Sequence, residues 1–83
     1  MRTANRKEIK DTVIEIASQV FSLNKNIVDE SLKTGDREEW DSLGHIKLFF
    51  ALEKKFKIKF STQDIIQTDS IEKIIHKVTE LLL

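Results

Sequence analysis

Apolar residues near the start of the chain recur at helical spacing. At about 100° per residue, Ile9, Val13, Ile16, Ala17 and Val20 fall on one stripe, with Asp11, Glu15, Ser18 and Gln19 largely opposite. Asn5 followed by Glu8 forms a capping box, in which each residue satisfies a free backbone N–H of the other. The pattern predicts a first helix over Asn5 to Phe21. From Ser22 to Asp41 no period is sustained. Isolated apolar residues (Leu23, Ile27, Val28, Leu32 and Trp40) stand among polar ones, with a Gly35-Asp36 turn signal and the acidic cluster Asp36-Arg37-Glu38-Glu39. Long loops in small domains are functional or disordered. The anchors Ile27, Val28 and Leu32 favour an ordered crossover.

Periodicity resumes at Asp41-Ser42 and predicts a second helix to Lys57. Ser61 with Asp64 marks a short third helix over Ile65 and Ile66. Asp69 with Glu72 predicts the start of a last helix, whose Ile71, Ile74, Ile75, Val78, Leu81 and Leu82 make one stripe. The expected class is all-α: a small right-handed four-helix bundle of three longer helices and one short one, with a long loop between the first two.

The second helix carries more apolar surface than a bundle consumes. Leu48, Leu52 and Phe56, with Phe49 beside them, form a core stripe. Leu43, Ile46 and Phe50 form another, roughly 120–160° round the helix. Lys47 and Lys54 border it on one side and Glu53 on the other. A spare stripe of this kind fits a docking surface, unless the long loop folds over it.

Composition narrows the function. The 83 residues hold 14 basic and 14 acidic groups, and zero net charge argues against a protein that binds nucleic acid by neutralising phosphates. No Cys is present, so a thiol would have to be imported. The longest apolar run, Leu48 to Leu52, is far short of a membrane span, and the opening residues lack the apolar region of a secretory signal. A soluble cytoplasmic single domain over residues 1–83 is expected. Ser42 and His45 lack a third orienting group and an oxyanion loop, so a hydrolase is not indicated. His45 is expected at the edge of the core, and His76 on the solvated face of the last helix. Neither His belongs to a ligand cluster, and the acidic loop lacks a calcium-loop pattern, so no metal site is expected.

The segment Trp40-Asp41-Ser42-Leu43-Gly44-His45, leading into IKLFFALEKKF, resembles the acyl carrier protein family, and the likeness extends over nearly the whole chain. It implies a non-catalytic carrier. Ser42 would receive 4′-phosphopantetheine from coenzyme A through a phosphopantetheinyl transferase and Mg²⁺, with Asp41 contributing to transferase recognition. Acyl groups would then be held as thioesters on the arm and exchanged with acyl-loading and acyl-transfer enzymes. Leu43, Ile46, Lys47, Phe50 and Lys54 would form the partner-binding surface of a monomer. A peptidyl or aminoacyl carrier of nonribosomal type, or an unmodified helical interaction module, are the alternative readings.

The Asp-Ser-Leu string needs its context, because Asp69-Ser70-Ile71 is nearly the same string. Asp and Ser favour helix N-termini wherever they occur. Ser42 follows the long loop and leads the helix with the spare stripe, whereas Ser70 leads a helix whose stripe the core requires, so Ser70 is read as a cap. Ser42 has His45, not Glu or Gln, at the capping-box position, which leaves its hydroxyl less committed. Housekeeping carriers of the family are acidic along the second helix. Here residues 1–43 carry 7 basic and 9 acidic groups, and residues 44–83 carry 7 and 5. Gly44 stands where an acid is common. These departures point to a specialised pathway rather than bulk fatty-acid synthesis.

Overall fold

A computed structural model describes residues 5–82. Its elements are α1 (Arg6–Phe21), α2 (Ser42–Phe56), α3 (Thr62–Gln67) and α4 (Ile71–Leu82). α1 starts as its capping box dictates, with Asn5 Oδ1 accepting from Glu8 N–H and Glu8 Oε1 accepting from Asn5 N–H. Ser61 and Asp64 make the same reciprocal box at α3. α1 packs against both α2 and α4. Ile9, Val13, Ile16 and Ala17 meet Leu48, Phe49 and Leu52 of α2 and Ile71, Ile74, Ile75 and Val78 of α4 in one core. Fully buried side chains of this size contribute roughly 1.5–3 kcal/mol each before entropy is counted.

Several positions depart from simple periodicity. Ser18, placed by spacing on the polar side of α1, is buried, and its hydroxyl donates to the Ile14 carbonyl at 2.6 Å. Back-bonding within the helix satisfies the group that burial removes from water. Val20 and Phe56 pack only at the margin of the core, while Phe21 is buried. Leu81 is exposed, because the last turn of α4 has little of the bundle left to cover it.

The crossover from Ser22 to Asp41 is an ordered strap. Val28, Leu32 and Trp40 are buried and anchor it; Ile27 does not, being 41% exposed. Its backbone serves α4. The Leu32 and Glu30 carbonyls accept from Ile71 and Glu72 N–H at 2.9 and 3.1 Å, filling helix-terminal donors that would otherwise lack partners. Lys33 also forms an antiparallel bridge with Ser70. That pairing holds Ser70 outside the helix, so Ser70 Oγ, not Asp69, accepts from Lys73 N–H at the start of α4. Asp69 instead reaches the Lys73 ammonium at 3.0 Å, and among the described residues Glu72 makes no capping bond back. Gly35, at φ 93°, turns the strap, and its N–H donates to the Trp40 carbonyl.

Candidate functional site at the start of α2

The Asp41-Ser42 pair sits one position further into its helix than Asp69-Ser70 does. Asp41 is the N-cap of α2, with extended backbone and its Oδ1 accepting from Gly44 N–H at 2.8 Å. Ser42 is therefore the first helical residue and not the cap. Its side chain is exposed, and its hydroxyl has no hydrogen-bond partner among the described residues. The freedom of Ser42 thus comes from Asp41 doing the capping, rather than from the missing box partner at position 45. The backbone N–H groups of Ser42 and Leu43 face the same end of the helix. A phosphate on Ser42 would lie at the positive end of the helix dipole, beside unsatisfied donors.

Beneath this residue the structure is closely packed. Gly44 lies where the strap crosses α2, and a Cβ there would come within 2.4 Å of the Glu39 carbonyl oxygen and 3.1 Å of Phe21. An acidic side chain at this position is therefore excluded by backbone, not only by charge. Trp40 is fully buried, 5.4 Å from the Phe21 ring, and its indole Nε1–H donates to His45 Nδ1 at 2.9 Å. Because indole is a donor only, the imidazole proton lies on Nε2, which donates to the Ile65 carbonyl at 2.7 Å. His45 thus joins strap, α2 and α3, and rests 4.7 Å from the Phe49 ring. It sits at the edge of the core, as expected. His76 is exposed, as expected, and among the described residues pairs with Glu80.

An open cleft of about 690 Å³ runs from Ser42 between α2 and α3. Near Ser42 its walls are polar (Thr34, His45, Thr62, Asp69); farther along they are Ile46, Phe50, Ile65 and Ile66. The Asp69 carboxyl is held below the ordinary carboxylate range, mainly by its hydrogen bond from Lys73. The strap does not cover the spare stripe: Leu43, Ile46 and Phe50 are 60%, 43% and 62% exposed. The stripe is, however, divided. Ile46 and Phe50 line the cleft with Ser42, whereas Leu43 and Lys47 border a smaller recess shared with Val20, Glu38 and Glu39 on the α1 side. Lys54 lies beyond Phe50, beside Lys57, Ile58 and Lys59.

Nothing local in the sequence marks Thr34 or Thr62, and Asp69 is marked there only as a helix start, since strap, α3 and the lead into α4 meet at this cleft only through tertiary packing. Ile65 and Ile66 did offer a signal. Two adjacent isoleucines on a six-residue helix project on different faces, so the helix leaves one of them outside, here Ile66 at 68% exposed.

Residues 1–82 match the family described as the C-terminal ACP domain of the highly reducing polyketide synthase sdgA. The chain belongs to the acyl carrier protein family. The solution structure of holo acyl carrier protein from Geobacter metallireducens is similar to it, with a TM-score of 0.78 and 27% identity over 88% of this chain and 84% of that one. No curated protein sequence matches. Membership places the prosthetic group of this acyl carrier protein as 4′-phosphopantetheine and its role as a carrier working with transferases and acyl-handling enzymes. The site fits the group: the exposed hydroxyl and free N–H groups at the head of α2 suit a phosphodiester, and the chain contains no cysteine to compete with the arm's thiol. No described helix is long and apolar enough to cross a membrane.

Proposed function

We propose that this acyl carrier protein holds acyl intermediates as thioesters on a 4′-phosphopantetheine arm attached to Ser42 Oγ, in a specialised biosynthetic pathway rather than bulk fatty-acid synthesis. The observation that carries the assignment is the register of the two Asp-Ser pairs. Ser42 is exposed and free one residue inside its helix, whereas Ser70 is committed as a cap. When bound, the group supplies the thiol on which the acyl group rides. The chain's own residues position it: Asp41 fixes the first turn of α2, and the Ser42 and Leu43 N–H groups stabilise the negative charge. Asp41 also presents its second carboxylate oxygen to the transferase. Leu43, Ile46, Lys47, Phe50 and Lys54 form the partner surface. The likeness to a polyketide synthase carrier domain and the lysines along α2 support a specialised pathway.

Incubation with coenzyme A, Mg²⁺ and a broad-specificity phosphopantetheinyl transferase, followed by intact mass, tests this. One phosphopantetheine should be added to the native chain and to Ser70→Ala, and none to Ser42→Ala. Since Asp41 is the cap, Ser42→Ala should shift stability by less than about 0.5 kcal/mol, while Ser70→Ala should lose roughly 0.5–2 kcal/mol. Modification of Ser42→Ala, or its loss in Ser70→Ala, would refute the assignment.

A further inference from the structure

The basic residues of the longer helices divide sharply by element. On α1, Arg6, Lys7 and Lys10 all pair with carboxylates, and on α4 so do Lys73 and Lys77. On α2 and the linker after it, none of Lys47, Lys54, Lys55, Lys57 and Lys59 has an ion-pair partner among the described residues. The acid among them, Glu53, is withdrawn. Its Oε2 accepts from Phe60 N–H at 2.8 Å, and its backbone carbonyl accepts from Lys57 N–H at the left-handed C-cap. That commitment follows from the chain reversal at Lys57 (φ 56°), which brings the linker back over Glu53. The helix dipole accounts for Lys54 and Lys55 in the last turn, but not for Lys47 in the second turn or for Lys59 beyond the helix.

Of these lysines, Lys54, Lys57 and Lys59 border a recess with the exposed Phe50, about 12 Å along the axis from Ser42. Lys47 stands one turn before Phe50, beside Leu43. Nearer the root of α2, on its α1 side, Glu38, Glu39 and Asp41 line the recess that Leu43 and Lys47 share. The exposed side of α2 therefore passes from mixed charge at its root to basic charge at its end. Such a gradient fixes the orientation of a docked partner as well as its sign.

We propose that this face docks enzymes presenting an apolar recess rimmed by carboxylates opposite Lys47, Lys54 and Lys57. The proposal rests on Ser42 being the arm site, since that is what brings partners to α2. It gives the partners a chemistry opposite to the basic patches that suit acidic carriers, so this chain and such carriers would exclude each other's enzymes through like-charge contact.

Two synthetic amphipathic helical peptides test it, sharing one Leu/Phe stripe, with flanks of Glu in one and Lys in the other. Titrated into the ¹⁵N-labelled native chain, the Glu peptide should shift Ile46, Lys47, Phe50 and Lys54 and bind at least about tenfold tighter than the Lys peptide. The advantage should shrink as NaCl rises from about 20 to about 200 mM. Lys47→Glu with Lys54→Glu should reverse the preference, and Lys47→Glu alone should weaken it, each with the Trp40 fluorescence of the native fold. Equal binding of both peptides, or shifts confined to α4, would overturn the proposal. So would binding to phosphatidylglycerol vesicles without peptide selectivity, or self-association abolished by the same changes. A native chain that accepts phosphopantetheine yet shows no peptide preference refutes the partner chemistry alone, whereas one that never accepts it refutes the Ser42 assignment.

Discussion

His45 has both ring nitrogens committed, Nδ1 to the Trp40 indole, with Thr34 Oγ1 also 3.2 Å away, and Nε2 to the Ile65 carbonyl. One neutral tautomer satisfies both bonds at once, so a single side chain fastens the strap and α3 to the head of the site helix. His45→Phe keeps an aromatic ring of similar size but deletes both bonds, leaving the buried indole N–H without an acceptor. The expected loss is about 1–3 kcal/mol, read from denaturant unfolding followed by the fluorescence of Trp40, the sole tryptophan. Uptake of phosphopantetheine at Ser42 should persist, because neither bond involves its hydroxyl. Unchanged stability would mean that these two bonds add nothing to the fold.

At the scale of the element, α2 serves two masters. Leu48, Phe49 and Leu52 are fully buried against α1 and α4, while Leu43, Ile46 and Phe50 are left in solvent. Leu52→Ala should therefore cost about 2–5 kcal/mol through lost burial and an unfilled cavity. Phe50→Ala, by contrast, should change melting little and slow transfer by the transferase and acyl-loading enzymes. Thermal unfolding and single-turnover transfer rates measured on both variants separate the roles. A large melting change for Phe50→Ala with unaltered transfer would assign that residue to the fold. The spare face exists because the strap spends its apolar anchors elsewhere, on the core and on the head of α4.

Across the whole molecule, two ion-pair groups tie distant segments. Glu30 receives Arg6 and Lys10 at 2.9 and 3.1 Å, joining strap to α1, and Asp64 receives Lys77 at 3.2 Å, joining α3 to α4. The Glu30 carboxyl is held below its ordinary range chiefly by the Arg6 hydrogen bond, and the Asp64 carboxyl chiefly by the Ser61 backbone N–H. A carboxylate whose pKa is lower in the folded chain contributes stability that is present in full above its unfolded value. That contribution disappears as pH falls through the folded one. Unfolding by urea should therefore show stability nearly flat from about pH 7 to pH 5 and falling below about pH 4. Glu30→Gln should make the fall shallower. The effect should be modest, since these pairs are partly exposed, and an identical slope for Glu30→Gln would assign the acid sensitivity to other carboxylates.

What the amino-acid sequence determined by itself is the local order. Apolar periodicity set four helices, the Asn5–Glu8 and Ser61–Asp64 boxes set two of their starts, and Asp41-Ser42 at the head of a helix with surplus apolar surface marked the candidate site. Each of these depends on residues three or four apart, so each is readable along the chain. Tertiary structure decided which member of each Asp-Ser pair is the cap. Asp69 and Ser70 are paired with the strap and pushed out of α4, whereas nothing holds Ser42 back from joining α2. It also decided that Gly44 must stay small, that His45 bridges Trp40 and Ile65, and that Glu53 turns inward and leaves the lysines unpartnered. Those outcomes hang on contacts between segments far apart in sequence, or on one turn of backbone at Lys57, and hydrophobic periodicity carries no record of either.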